Sequence, residues 1–405
     1  MKIAIITSGF LPVPATKGGA VENLIVNLIN NNEKKGEFDF EIMSCYDDNA
    51  LEESKKYNRT KFVFFKTNMF IKILDKIVFF IAKNILKKQN SQSYRYIFQR
   101  LAYLNNCSKK LKLESYDKII LENHPTQYLA LKWRKNNIKY ENKFYYHCHN
   151  EFPGTYGCIE IMRETKKFIC VSQYIADTLS KYLKLPAEKF CVLRNGIDTS
   201  KFRKEMSDAE KEKLRKKHNI DSNDKVLIFT GRIVPEKGVK ELLTSLTNVK
   251  ASNYKLLIIG SALNSLSTKT SYQVEVEELV KKLKKNVIFT GFVNYDEIYK
   301  YYSIANIAVL PSVWNDPAPL TVIESLVCGL PIITTNSGGI PEYATNGSAI
   351  IINRDENLIN NLSIEIKKLL NDDLQSLNMG NCSRKVSKNL TIENYSNSFS
   401  KIMSE

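Results

Sequence analysis

Residues 312–342 read SVWNDPAPLTVIESLVCGLPIITTNSGGIPE, and this stretch indicates the fold of the second half of the chain. Its apolar helix pattern, LTVIESLVCG, is followed by the buried-strand pattern LPIITT and then by a glycine-rich turn. This stretch carries two carboxylates. Asp316 precedes the helix pattern, and Glu324 lies inside it. A helix followed at once by an apolar strand is typical of proteins in which helices cover a parallel sheet.

The same alternation extends on both sides of this stretch. In the second half, strand patterns separated by helix patterns are KVLIFTG, YKLLIIG, NVIFTGF, NIAVLPS, LPIITT and SAIII, which predict a Rossmann-like domain. The first half alternates in the same way from KIAIITS to KFCVLRNGID and predicts another parallel α/β sheet. The charged stretch 199–224 separates the two halves. We therefore predict domains at 1–200 and 201–383, followed by a C-terminal helix at 384–405, with a ligand between the domains at the carboxyl ends of the strands.

Composition limits the classes of partner. The chain has 405 residues and ordinary hydrophobic (43%) and charged (25%) contents, but its formal net charge is +16. This charge favours an anionic membrane surface or phosphorylated ligands. Nucleic acid is disfavoured, because no arginine-rich run with interleaved aromatic residues occurs. The longest apolar runs are too short for a membrane span or a signal peptide, and the eight cysteines form no C-x-x-C pair, so we expect a reduced cytoplasmic protein.

Two loops that follow strand patterns are candidates for binding an anion. The loop GRIVPEKGV (231–239) follows the first strand pattern of the second half, where a Rossmann domain binds phosphates, and it carries Arg232 and Lys237. In the first half, Gly18 and Gly19 precede a helix pattern and could offer backbone amides to an anion. This second loop lacks the G-x-G-x-x-G pattern of dinucleotide-binding proteins, so a simple tight turn remains the alternative.

The four histidines differ in their promise as site residues. Alternation along KFYYHCHNEF puts His147 and His149 on one face of a strand, with His149 nearer the following loop and His147 inside the sheet. His124 also ends a strand pattern, and His218 lies in the charged stretch, where we expect it to be solvated. The His-Cys-His spacing fits no zinc pattern, so no metal site is predicted.

The GRIVPEKGV loop, the acids Asp316 and Glu324 and the GGIPE turn (338–342) together resemble the donor site of a large family, the retaining family-four glycosyltransferases, or glycosyl transferases group 1. The resemblance covers nearly the whole chain. It implies the GT-B architecture, an α/β fold with two Rossmann-like domains facing across a cleft and a C-terminal helix that crosses back to the first domain. Family members more often have Glu where this chain has Asp316. A helix N-cap remains the alternative for Asp316, and a solvated helix position is the alternative for Glu324.

The resemblance also implies an activity. It implies transfer of a hexose-type sugar from a nucleotide-diphosphate sugar, most commonly a UDP-sugar, to a glycan hydroxyl, with retention of configuration and without a metal or other cofactor. The implied catalytic residues are His149, Arg232, Lys237 and Asp316. The implied donor-binding residues are Gly18, Gly19, Gly231, Arg232, Lys237, Phe292, Val293, Asp316, Leu320, Thr321 and Glu324.

Residues 61–115 combine aromatic and aliphatic side chains with many lysines in a helical period, which indicates an amphipathic region on an anionic membrane surface. We therefore expect a lipid-linked glycan acceptor, a peripheral location on the inner face of the cell membrane and a role in surface polysaccharide synthesis. An ordinary core-facing helix pair with a basic exterior is the alternative for this region. For the whole chain, the rival functions are another nucleotide-sugar enzyme, such as an epimerase, and a non-catalytic binding protein of the same fold.

Overall fold

The computed structural model describes residues 1–86, 94–250, 253–260 and 271–405. These residues form two compact units. The first unit comprises Met1–Arg194 together with Tyr395–Glu405, and the second comprises Asn195–Asn394.

The first unit contains a seven-stranded parallel sheet. Its strands are β1 (Lys2–Ile6), β2 (Asp39–Cys45), β3 (Thr60–Phe65), β4 (Lys118–Glu122), β5 (Phe144–Cys148), β6 (Lys167–Cys170) and β7 (Phe190–Val192), in the order β3-β2-β1-β4-β5-β6-β7. The helices that accompany them are α1 (Ala20–Lys35), α2 (Asp48–Ser54), α3 (Met69–Phe80), α4 (Ile97–Leu113), α5 (Tyr128–Lys132), α6 (Asn136–Lys139), α7 (Ile159–Glu164) and α8 (Gln173–Leu183). The central strands are apolar and buried over nearly their whole length, as in a parallel sheet covered on both faces.

The second unit contains a six-stranded parallel sheet. Its strands are β8 (Lys225–Thr230), β9 (Tyr254–Ile259), β10 (Val287–Gly291), β11 (Ile307–Leu310), β12 (Ile332–Thr335) and β13 (Ala349–Ile352), in the order β10-β9-β8-β11-β12-β13. The helices described in this part of the chain are α9 (Thr199–Phe202), α10 (Asp208–Lys217), α11 (Val239–Thr247), α12 (Ser271–Leu283), α13 (Ile298–Tyr302), α14 (Leu320–Val327), α15 (Ile340–Tyr343), α16 (Leu358–Asn371) and α17 (Asp373–Ser387). A last helix, α18 (Ile392–Ser404), ends the chain.

Each sheet has one point at which the order of the strands reverses. In the first unit this point lies between β1 and β4, and in the second it lies between β8 and β11. The loops that leave neighbouring strands at such a point diverge to opposite faces of the sheet and leave a crevice at the carboxyl ends, where open α/β sheets bind ligands. The strand order therefore directs attention to the loops after β8 and β11.

The boundaries of the units differ from the predicted ones at two places. The first boundary lies between Arg194 and Asn195, six residues before the predicted one, so the whole charged stretch 199–224 belongs to the second unit, and its apolar residues Phe202 and Ile220 are buried in that unit's core. At the C-terminus, the predicted helix at 384–405 is replaced by the end of α17 and by α18, with a break between Ser387 and Ile392. Residues 395–405 belong to the first unit, where Phe399 packs against Phe38 and Phe40.

Candidate active site

The loops that follow β8 and β11 bring Lys237 and Asp316 together. The Lys237 ammonium donates a hydrogen bond to Asp316 Oδ2, which makes a charge-assisted ion pair. The Asp316 side chain is 9% exposed and that of Lys237 is 22% exposed, so the pair is sheltered but open to solvent on the lysine side. Residues 79 positions apart in the sequence thus meet at the reversal point of the second sheet.

Backbone contacts hold the two loops in place. The Val313 amide donates to the Glu236 carbonyl at 3.0 Å, and the Ser312 hydroxyl donates to the same oxygen at 3.1 Å. Gly238 has a φ of 72°, and a Cβ atom there would lie 1.9 Å from the Pro311 carbonyl oxygen. Only glycine fits at this position, because it tolerates the left-handed conformation and lets the loops approach closely.

The GGIPE turn supports the Asp316 loop from the other side. The Gly339 amide donates to the Asp316 carbonyl at 2.9 Å. Gly338 has a φ of 57°, and a Cβ atom there would lie 2.5 Å from the same carbonyl oxygen. This turn therefore fixes the backbone of Asp316 and leaves its carboxylate free to meet Lys237.

Helix α14 begins beside this ion pair. Its N-cap is Pro319, so the N-cap alternative for Asp316 does not describe this structure. Leu320 and Thr321 occupy the first turn, where amide groups have no partner within the helix and can bind an anion. Thr321, Lys237 and Asp316 line one narrow cavity.

Glu324 lies deeper in the same helix and is 3% exposed, so it is not the solvated residue that the alternative required. Its Oε2 accepts a hydrogen bond from the Tyr302 hydroxyl at 2.9 Å, and the Tyr295 hydroxyl also bonds to the carboxylate. Tyr302 shares a further hydrogen bond of 2.8 Å with Thr230 at the end of β8. Burial raises the pKa of Glu324 to about 7, although the two tyrosines favour the ionised form.

The remaining donor-site candidates of the second unit are more exposed. Arg232 is exposed, and no hydrogen bond or ion pair joins its guanidinium to another described side chain. Gly231 has a φ of 141° and donates its amide to the Ile259 carbonyl at 3.0 Å. After β10, Phe292 is 81% exposed, whereas Val293 is half-buried against the core. These residues follow β8 and β10, and in the described part of the chain none of them forms a hydrogen bond or ion pair with Lys237.

In the first unit, Glu122 joins the two histidines of β5 and its following loop. His147 Nδ1 lies 3.2 Å from Glu122 Oε1, and His149 Nε2 lies 3.2 Å from Glu122 Oε2. Burial alone would raise the pKa of Glu122, but the two histidines lower it to about 2. Burial and His147 lower the pKa of His149 to about 4, so its imidazole is neutral at pH 7. The ligand atoms lie within 4.8 Å of one another and could hold a metal ion, but each carboxylate oxygen already has an imidazole partner.

The other candidates of the first unit lie in loops or caps. Gly18 and Gly19 have φ angles of 74° and 107°, and Gly19 is the N-cap of α1. His124 is the N-cap of a short 3-10 turn and accepts a hydrogen bond from the Thr126 amide at 3.3 Å. In the second unit, His218 is half-buried rather than solvated, because its ring packs on Tyr301 with the ring centroids 5.6 Å apart.

Three polar partners could not be found from the sequence. Glu122 lies in a strand pattern that reads as a plain buried strand, and Tyr295 and Tyr302 lie in an aromatic helix pattern that indicates only packing. Each meets its carboxylate or imidazole partner through the tertiary fold. The one available signal was the unusual presence of an acid at the end of the apolar run IILE.

Comparison with known proteins finds two family models that match the chain. Residues 78–201 match the family model described as Glycosyltransferase Family 4, and residues 210–386 match that of Glycosyl transferases group 1. The chain is 25% identical over 269 residues to the lipopolysaccharide 1,2-N-acetylglucosaminetransferase of Salmonella typhimurium, which covers 64% of this chain and 67% of that protein. It is 24% identical over 391 residues to spore coat protein SA of Bacillus subtilis, which covers 95% of this chain and 94% of that protein.

Solved structures show the same fold. Anabaena HepE, crystallised in complex with UDP-glucose, superposes with a TM-score of 0.73 at 16% identity and covers 100% of this chain and 99% of its own. The two matched regions lie on the two sheets described above, and the match in the second unit contains Lys237, Asp316 and Glu324. The chain therefore belongs to the glycosyltransferases that combine a family 4 domain with a group 1 domain on the GT-B fold.

Proposed function

We propose that this protein is a retaining, metal-independent hexosyltransferase that uses a nucleotide-diphosphate sugar, with UDP as the carrier, and a glycan hydroxyl as acceptor. The observation that carries the proposal is the pairing of Lys237 with Asp316 beside the first turn of α14, at the reversal point of the second sheet. A sheltered cation next to free helix amides suits a diphosphate. The nearby carboxylate suits the hydroxyls of a sugar, because it accepts hydrogen bonds only.

The diphosphate would be bound by three kinds of donor. Lys237 gives a cation that Asp316 already orients, and Arg232 gives a second cation that is free to move toward the ligand. The amides of Leu320 and Thr321 add the partial positive charge of a helix N-terminus. Together they stabilise the negative charge that develops on the leaving diphosphate, which is the role that a metal ion fills in other transferases.

The reaction breaks the bond between the anomeric carbon and the diphosphate oxygen. The acceptor hydroxyl then attacks from the face that the diphosphate leaves, and its proton passes to the departing phosphate oxygen. Retention follows from this same-face attack and needs no protein nucleophile. Asp316 orients the sugar hydroxyls, and His149, a neutral imidazole at pH 7, is the proposed hydrogen-bonding partner of the donor sugar.

The proposed nucleotide end of the donor lies farther along the same unit. In its ionised form, Glu324 would accept hydrogen bonds from the ribose hydroxyls. These would replace the hydrogen bonds that it now accepts from Tyr295 or Tyr302. The backbone at Phe292 and Val293 would hold the base. Uracil is proposed because Anabaena HepE, a structural neighbour, was crystallised with UDP-glucose.

One assay separates this proposal from its two rivals. Incubation with UDP-hexoses and glycan acceptors in EDTA should give a glycosylated product, and the anomeric proton coupling in its NMR spectrum should match that of the donor. An epimerase would instead change the sugar of the nucleotide donor without using an acceptor. A binding protein would give neither product, whereas a transferase would give a product and lose turnover in Glu324→Ala. An inverted product would contradict retention, and loss of activity in EDTA would contradict metal independence.

We also propose that the protein lies on an anionic membrane surface. None of the described helices is long and apolar enough to span a bilayer. Helix α3, however, exposes much of its apolar face and carries lysines. The exposed apolar residues are Met69, Phe70, Ile73, Leu74, Ile77 and Phe80.

Liposome flotation tests the membrane proposal. Changing Lys72, Lys76 and Lys83 to Glu should release the protein from vesicles that contain anionic lipid. Lys87 and Lys88, which belong to the same predicted set, lie outside the described residues. The matched control changes Lys281, Lys282 and Lys285 to Glu, which alters the net charge equally in the second unit. Equal binding by both variants would contradict a docking role for α3.

A further inference from the structure

A large cavity lies in the first unit, apart from the cluster of Glu122, His147 and His149. Its volume is about 620 Å³. It opens at the carboxyl ends of β1, β2 and β3, and helix α4 forms one wall. The lining residues are Gly9, Phe10, Leu11, Pro12, Lys17, Cys45, Tyr46, Asp47, Asp48, Phe65, Lys66, Thr67, Lys72, Tyr96, Gln99, Arg100 and Tyr103. Carboxyl ends of parallel strands are where sheets of this class bind ligands, so the cavity is placed as a binding site would be.

Arg100 is the unusual member of this lining. Only 9% of the residue is exposed, and its Nε donates a hydrogen bond to Thr126 Oγ1. Its two terminal nitrogens are buried and have no hydrogen-bond partner among the described residues. The Phe10 ring covers the guanidinium, with Cζ 4.1 Å from the ring centroid. A buried guanidinium whose two terminal nitrogens have no hydrogen-bond partner is costly unless a ligand completes it.

The charges around Arg100 favour an anion. Lys17 is already paired with Asp47 at 2.7 Å, and Asp48 accepts the Tyr46 hydroxyl at 2.7 Å. Lys66 and Lys72 are both exposed, and neither forms an ion pair with a described acid. The cavity therefore carries more positive charge than its own acids neutralise.

An apolar surface borders the cavity on the side of Lys72. Lys72 belongs to α3, whose neighbouring residues Phe70 and Ile73 are 77% and 47% exposed. The buried Asp75 carboxylate fixes this helix to α4 by accepting the amides of Phe98 and Gln99 at 2.9 and 3.0 Å. The fold thus holds an apolar helix face next to a cationic cavity.

We propose that this cavity binds the phosphate or diphosphate group of a lipid-linked acceptor, with Arg100 as the anchor and the apolar face of α3 beside the lipid chain. The proposal rests on the proposed transferase function. Phe10 is 51% exposed and lies in a loop, so its ring can leave the guanidinium when the ligand enters. The two free nitrogens then form a planar fork, a geometry that matches two oxygens of one phosphate group.

The test is a calorimetric titration of the full chain in the presence of saturating UDP. The probes are geranyl diphosphate, which has a short apolar chain, and inorganic pyrophosphate, which has none. The variants are Arg100→Gln, Arg100→Lys and the double change Lys66→Gln with Lys72→Gln, which alters only exposed residues. Lys143→Gln, an exposed change elsewhere in the first unit, is the control.

We expect geranyl diphosphate to bind at least tenfold more tightly than pyrophosphate, and each variant except the control to weaken it at least tenfold. UDP affinity should be the same in all variants, because its proposed site is in the second unit. Equal affinity for the two probes would overturn the lipid-linked acceptor. Unchanged binding in the Arg100 and lysine variants would overturn the anchor. Loss of UDP binding alone, with the geranyl diphosphate result intact, would count against the donor site and not against this cavity.

Discussion

The buried carboxyl group of Glu324 should make the stability of the second unit depend on pH, and Glu324→Gln should remove that dependence. Burial raises the pKa of Glu324 from 4.5 to about 7. The folded protein therefore favours the protonated form more than the unfolded chain does. Its stabilising effect is complete below pH 4.5 and is lost as the pH rises through 7. Gln keeps the shape and cannot ionise.

The size of the effect follows from the two pKa values. The pKa of Glu324 is 2.5 higher in the folded than in the unfolded state, so its ionisation lowers the free energy of unfolding by about 3 kcal/mol in total. Roughly 2.5 kcal/mol of this decrease falls between pH 5 and pH 8. For a unit of this size, a change of 1 kcal/mol shifts Tm by roughly 2–4 °C. The difference in Tm between Glu324→Gln and the native protein should therefore grow, in favour of the variant, by roughly 5–10 °C over this range.

Differential scanning fluorimetry of the full chain at pH 5, 6, 7 and 8 measures this difference directly. Glu356→Gln, a change at an exposed acid, is the control and should follow the native protein at every pH. Between pH 5 and pH 8, the Tyr302→Phe variant should lose more stability than the native protein does. The substitution removes a hydrogen bond that favours the ionised carboxylate of Glu324. A constant difference in Tm between Glu324→Gln and the native protein would refute the reasoning.

Three further changes test other parts of the account. Gly238→Ala should lower Tm far more than Gly291→Ala in thermal melts, because both residues have a φ of 72° but only at Gly238 would a Cβ atom strike the Pro311 carbonyl oxygen. Glu122→Gln should lower Tm at pH 7, and its deficit in a pH series should shrink as the pH falls from 4.5 towards 2, because the native carboxylate becomes protonated over this range; a constant deficit would contradict the hydrogen-bonded network around Glu122. Arg232→Gln should reduce kcat in a sugar-transfer assay without changing Tm, because Arg232 is exposed. A lower Tm for this variant would instead indicate a structural role for Arg232.

The alternation of apolar strands with helix patterns was sufficient to predict both sheets. The six strand patterns of the second half, from KVLIFTG to SAIII, became β8–β13 because each is a short β-rich run, and the four inner strands β8, β9, β11 and β12 are buried on both faces. The GRIVPEKGV loop and Asp316 could be predicted to share a region, since both follow strands whose carboxyl ends meet at one edge of a sheet. Their direct ion pair could not be predicted, because it depends on the close approach of Gly238 to Pro311.

Charge patterns were the weakest guide to the fold. The stretch 199–224 is so rich in charge that it indicates a linker, yet Phe202 and Ile220 are enough to attach it to the second unit. The mean hydropathy of a sequence window hides such single apolar residues, although each of them can be buried in a core. Glu324 is the opposite case. A carboxylate in a helix pattern predicts a solvent-exposed side chain, but two tyrosine hydroxyls from elsewhere in the unit allow the Glu324 carboxylate to be buried.

Isothermal titration calorimetry in EDTA, with UDP, dTDP, GDP and ADP, tests the donor site most directly. We expect one of these nucleotides, UDP, to bind the native protein and to bind Lys237→Gln at least tenfold more weakly. Lys240→Gln is the control, because Lys240 lies three positions after Lys237 and pairs with Glu275 on the surface. This variant should bind UDP like the native protein. Binding of no nucleotide, or equal binding by Lys237→Gln and the native protein, would contradict a donor site built on Lys237 and Asp316.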